Sequence, residues 1–181
     1  MELNLWLWIL LALGLFWGVG VYNRISRMRA RSLDAFQTVA QYLFQFRLLL
    51  LEHVDLARIT NAPTAIQQLL RQLDQLDSVT KAAKSRPWDQ ELQAAVTSVS
   101  LDSVRTWGLL KTAPADLAGA ALPERLMRDW DENSRFLQTS IFTFNQILLN
   151  YNEAIGQFPA MIICNFLGFK PSGQIYISHE T

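Results

Sequence analysis

Between Pro123 and Pro171 a single apolar stripe limits the architecture of this chain more than any other feature. Leu126, Trp130, Asn133, Leu137, Ile141, Phe144, Leu148, Tyr151, Ile155 and Phe158 follow in unbroken steps of three and four, the spacing that keeps side chains on one helical face. The pattern predicts a helix over 123–158, roughly 50 Å long at helical rise. A rod of that length with a narrow seam needs partners of matching length. The expected fold is therefore all-α, an up-and-down bundle of three to four long antiparallel helices. Pro159 stops the stripe, because proline cannot donate the next backbone bond and pushes its neighbour out of the helical region.

At the other end of the chain, Leu3 to Tyr22 carries no charged side chain, and Asn4 is its only amide. Such a run spans about 30 Å as a helix, the thickness of a bilayer's hydrocarbon core. Trp6 and Trp8 at one end, with Trp17 and Tyr22 near the other, suit the aromatic belts of a spanning helix. The competing reading is a cleaved signal peptide. Against it, Glu2 rather than a lysine or arginine precedes the run, and no small-x-small cleavage site stands clearly at its end. Residues 1–22 are thus expected to be a transmembrane anchor and 23–31 a basic juxtamembrane segment holding Arg24, Arg27, Arg29 and Arg31. The arginine bias points the carboxy-terminal domain, 32–181, into the cytoplasm. The same arginines are a stop-transfer flank and candidate contacts for anionic lipid, each worth about 1 kcal/mol near the surface. Gly14 and Gly18 form a small-xxx-small pair that lets two membrane helices approach, a candidate oligomer contact, although glycine is frequent in such helices anyway.

Three further helices are expected, over about 32–58, 62–84 and 88–111. The first carries Leu33, Phe36, Val39/Ala40, Leu43, Phe46 and Leu50, and runs on from the anchor either as one rod or with a bend near Asn23. Leu48 to Leu51 make its far end apolar nearly all round, which calls for several neighbours or another subunit. Asn61-Ala62-Pro63 is a start signal for the second, with Ile66, Leu69, Leu73, Leu76 and Ala83 on its stripe. Arg86 to Asp89 make a corner, and Leu92, Val96, Val99, Ser103, Trp107 and Leu110 mark a weaker stripe on the third. Residues 112–122, with Pro114 and Gly119, read as a linker, and 159–181 as a tail with a short turn at 160–166 and an extended end.

The two ends of the chain also carry a resemblance. Tyr151-Asn152-Glu153-Ala154-Ile155-Gly156-Gln157-Phe158-Pro159, then Gly168-Phe169-Lys170-Pro171, resembles the carboxy-terminal signature of the LemA family of bacterial membrane-attached helical proteins. Tyr22-Asn23-Arg24 and Ala35-Phe36 match that family's entry motif. The resemblance implies one amino-terminal anchor followed by an up-and-down bundle of long helices. It also marks Tyr22, Asn23, Tyr151, Asn152, Phe158, Pro159, Gly168 and Phe169 as structural motif residues, with Phe158 and Phe169 expected to pack. Lipid-attached members carry a cysteine before the Tyr-Asn pair, where this chain has Gly20-Val21, so a plain spanning helix is expected. Gln45 to Glu52 replaces the family's basic pair and Asp-Leu-Ile-Pro-Asn stretch, which marks a divergent member with a straighter, more apolar first bundle helix.

Chemistry is harder to place. Sixteen basic residues balance sixteen acidic ones, so no global field gathers nucleic acid. The lone Cys164 excludes an internal disulfide or a cysteine-based zinc cage, and reads as a buried small hydrophobe. No Glu-x-x-His pair exists for a di-metal bundle. Glu52, His53 and Asp55 cluster in sequence but point apart on a helix. Asp74 with Asp77, and Asp129 with Glu132, share faces and read as solvated pairs. The expectation is a protein with no catalytic, cofactor or metal residues. It would be a scaffold or adaptor at the bacterial cytoplasmic membrane that meets lipid through its first helix and unidentified protein partners through its bundle. The alternative is a self-assembling, membrane-shaping homo-oligomer of the bacterial envelope.

Overall fold

A computed structural model describes residues 2–53, 64–112 and 122–177. Five helices lie among them: α1 Glu2–His53, α2 Thr64–Ala83, α3 Gln90–Thr112, α4 Glu124–Gly156 and α5 Ala160–Phe166. The protein is all-α, with long helices packed antiparallel, and α1 lies principally along α4. The residues expected to end the first bundle helix (54–58), the Asn61-to-Pro63 start signal, most of the 112–122 linker and the end of the tail lie outside the described residues.

α1 is one helix of 52 residues, so the apolar run and the first bundle helix are continuous through Asn23. Its two parts differ in what covers them. From Trp6 to Trp17 every side chain is exposed, and this helix is long and apolar enough to cross a membrane. From Phe36 onward Val39, Ala40, Leu43, Phe46, Leu49 and Leu50 are buried at the three-and-four spacing expected of a core stripe. Within the Leu48–Leu51 run, Leu49 and Leu50 are taken up by the core and Leu48 stays exposed.

α4 buries the stripe from Leu126 to Ile155, but ends at Gly156, with Gln157 in an extended conformation. Phe158 therefore leaves the stripe: it is 77% exposed rather than packed as expected, whereas Phe169 is buried. Ring contacts pin α1 to α4 along their length. Phe36 lies on Phe144 at 5.4 Å, Tyr42 stacks on Phe136 at 5.8 Å and Phe46 tilts on Trp130 at 4.5 Å. Trp130 also stacks on Trp107 of α3 at 4.0 Å. The weak α3 stripe arises because its buried face mixes Val96, Val99, Trp107 and Leu110 with Gln93, Ser100, Ser103 and Thr106.

Beyond α5 the chain turns back and runs extended along the helices. Two asparagines of α4 hold it, each through both ends of its amide. Asn152 Nδ2 donates to Ser172 O at 2.9 Å and Asn152 Oδ1 accepts from Ser172 N at 2.8 Å. Asn145 makes the same pair with Ile175, at 2.8 and 3.1 Å. Seven residues of helix and three of extended chain both cover about 10 Å, so the two clamps fall in register. Ile175 is thereby fully buried in the main core.

Candidate membrane-facing site

Where α1 leaves its exposed apolar stretch, a second small core gathers apart from the main one. Ile25 of α1, Tyr151, Ala154 and Ile155 of α4, Cys164 of α5 and Phe169 beyond it are all buried there, with Val21 and Met28 packed against them. The turn that brings Phe169 in follows from local chemistry. After Phe166 the chain passes Leu167 and reaches Gly168 at φ +73°, a left-handed conformation that costs glycine least. Gly168 N then donates to Asn165 O at 3.2 Å and Phe169 N to Cys164 O at 2.9 Å, the paired closure of a Schellman motif. Burial raises the Cys164 pKa and keeps the thiol neutral.

Arg29 sits at the centre of this region. Its guanidinium lies 4.4 Å from the Phe169 ring, 4.8 Å from Trp88 and 5.8 Å from Tyr151, and Nη2 donates to Tyr151 Oη at 3.3 Å. Tyr151 Oη in turn donates to Lys170 O at 2.9 Å. Arg29, half-buried, is thus held in an aromatic cage, which sets it apart from the other three arginines expected as lipid contacts. The position of Trp88, on the corner between α2 and α3, is what sequence spacing could not supply.

The other arginines remain outside. Arg24, Arg27 and Arg31 are exposed, and Arg27 Nε donates to Asn23 O one turn back at 3.3 Å. Arg24 and Arg31 line an open groove of about 280 Å³ between α1 and α4 that also holds Asn150, Glu153 and Gln157. Its mixture of two cations, one carboxylate and amides suits a zwitterionic or anionic headgroup better than an apolar ligand.

The motif residues divide in the same way. Tyr22 approaches Phe169 at 6.2 Å, and Tyr151, Asn152, Gly168 and Phe169 all take part in closing the tail onto α1 and α4. Asn23, Phe158 and Pro159 are exposed. Of the two glycines, Gly14 meets nothing, whereas a side chain at Gly18 would lie 3.3 Å from Ile163 Cδ1 of α5. Half of the expected oligomer pair is therefore in contact with the chain's own short helix.

The remaining candidates lie far from this end. His53 Nε2 stands 3.6 Å from Asp129, which also faces Arg125 and Arg128, so Asp129 pairs with cations rather than with Glu132. Asp74 accepts from Arg47 Nε at 2.6 Å, with Asp77 at 3.9 Å. Asp55 lies outside the described residues, and among those described no three His, Cys, Asp or Glu side chains stand close enough to share a metal ion. Set against known protein families, curated proteins and solved structures, the chain matches none of them.

Proposed function

We propose that this protein is a membrane-anchored, non-enzymatic scaffold or adaptor of the LemA type, a divergent member that presents a helical bundle to protein partners. The observation that carries the reading is α1 itself: a bare apolar stretch continues, without leaving the helix, into the stripe that builds the packed body. An apolar helix exposed from Trp6 to Trp17 has no covering partner there among the described residues, and a bilayer is the solvent it suits. The convergence of Tyr22, Tyr151, Asn152, Gly168 and Phe169 at one end supports the family reading, since these are the residues that carry the resemblance. Arg24, Arg27 and Arg31 support an orientation with the body on the cytoplasmic side of the bacterial inner membrane.

The second reading is self-assembly, favoured by Gly14 standing open and Leu48 exposed on the same helix. One experiment addresses orientation and partners together: a proximity-labelling enzyme fused at Thr181, in one form active in the cytoplasm and one active in the periplasm. A small, reproducible set of proteins labelled by the cytoplasmic form alone is the expected result. Labelling only by the periplasmic form reverses the orientation. Recovery of nothing but the protein's own copies favours self-assembly over the scaffold.

A further inference from the structure

Exposed apolar side chains on the packed body are mostly scattered singly, as at Leu48, Leu109 and Phe142, which is ordinary for a protein surface. One segment departs from that pattern. Between Phe158 and Leu167 five large apolar residues are exposed: Phe158, Met161, Ile162, Phe166 and Leu167, with Phe166 at 89% and Ile162 at 59%. Most of them lie on or beside α5, whose other face is spent on the small core through Cys164 and on α1 through Ile163. No charged residue occurs between Glu153 and Lys170. Asn165 is the one exposed polar side chain on α5, and a helix otherwise apolar on both its packed and its open face suits the edge of an apolar solvent.

The position of α5 says which solvent. Ile163 meets α1 at Gly18, four residues inside the Tyr22 end of the apolar run, or about 6 Å along the helix axis. Arg24 and Arg27 lie on the other side of Tyr22, about 3 and 8 Å further along. Amphipathic helices that lie in a membrane surface sink about 5–10 Å below the headgroups. From the spanning reading of α1, on which this step rests, we infer that α5 is a second membrane contact. It lies in the boundary between headgroups and acyl chains beside the anchor, with Phe166 and Ile162 directed into lipid. The bilayer is the occupant because the patch is continuous with the apolar surface of α1 and sits at the depth of its last turn. The protein would thus hold the membrane at two points, one spanning and one lying in the surface, and the arginine groove between α1 and α4 would open at headgroup level.

The test uses the full chain in phosphatidylcholine/phosphatidylglycerol vesicles. A nitroxide is placed singly at Phe166→Cys, Ile162→Cys, Leu11→Cys or Phe142→Cys in a Cys164→Ala background, and collision with oxygen and with a water-soluble nickel complex is read by EPR. The expected result is oxygen-dominated collision at 166 and 162, at a depth about 5–10 Å below the phosphates, with 11 deeper and 142 in water. Nickel-dominated collision at 166 and 162 while 11 remains in lipid overturns this inference and leaves the anchor standing. Nickel-dominated collision at 11 overturns both. Protection from both reagents at 166 would mean a protein neighbour, such as a second copy, and would also overturn it. Because Cys164 is buried and its replacement alters the small core, the unmodified chain is crosslinked in parallel to a lipid bearing a photoreactive group at the headgroup end of its acyl chain. Lipid adducts on the 158–169 peptide are expected, and their absence beside adducts on α1 counts against the inference.

Discussion

Four arginines follow the apolar run within eight residues, and their neighbours sort them by role. Arg24, Arg27 and Arg31 face outward, whereas Arg29 is ringed by Trp88, Tyr151 and Phe169. A planar guanidinium stacks on such rings and a tetrahedral ammonium does so less well. Arg29→Lys is therefore expected to lower stability by about 1–2 kcal/mol, read as a fall in Tm, whereas Arg27→Lys leaves Tm unchanged. Equal Tm values for the two variants would remove the cage from the account of this end. Asp77 makes a different prediction. Its Oδ1 is buried with no hydrogen-bond partner, and burial raises its pKa above the ordinary 3.8, against the opposing pull of Arg47 and Lys81. A carboxyl whose folded pKa exceeds its unfolded one favours folding when protonated. Its contribution is present below the unfolded value and is lost as pH rises through the folded one. At pH 7 the charged group therefore weighs against the fold. Asp77→Asn should raise Tm at pH 7, and the difference should shrink as pH falls toward 4. A gap that widens on acidification would reverse the sign.

At the scale of elements, the sequence marks most clearly what repeats for long enough. The stripes of α1, α2 and α4 persist for several turns and can be read directly, because burial of one face demands them. α3 is blurred by the serines, threonine and glutamine on its buried face. α5 shows no readable face in the sequence because seven residues are too few for a period to emerge, and because its meaning depends on where it packs. The tail is legible only in part. Alternation at Gln174 to Ser178 marks an extended chain, but its hold on α4 runs through backbone groups, which leave no mark on side-chain pattern. The asparagine clamps show why Asn145 and Asn152 lie seven residues apart: each satisfies one N–H and one C=O of a strand that has no sheet to join. Removing one amide strands two backbone groups, at a cost of about 1–3 kcal/mol each where buried. Asn152→Ala should thus accelerate amide exchange at Ser172 and expose the Phe169–Lys170 bond to chymotrypsin. Gln146→Ala, on the exposed face, should do neither. Unchanged exchange at Ser172 would mean that Trp88 and Gln93, its other partners, suffice to hold it.

For the whole molecule the unbroken helix α1 sets the scale. Its 52 residues make a rod of about 78 Å, bare from Trp6 to Trp17 and first met by another helix at Gly18. Spin labels at Leu11 and Gln45, both on exposed positions, should give one narrow distance near 50 Å. A shorter or broad distribution would place a joint at Asn23. The two cores divide the rod's support: the large one grips its far half, while the small one around Ile25, Tyr151 and Phe169 grips it just outside the apolar stretch. Such a rod acts as a lever. His53 stands about 46 Å beyond Tyr22 along the axis, so on the spanning reading proposed above a change of about 20° in the tilt of the apolar run swings the far pole sideways by about 16 Å. Tilt responds to the mismatch between helix length and bilayer thickness. The far pole would therefore report local membrane thickness as a lateral displacement, without any rearrangement inside the packed helices.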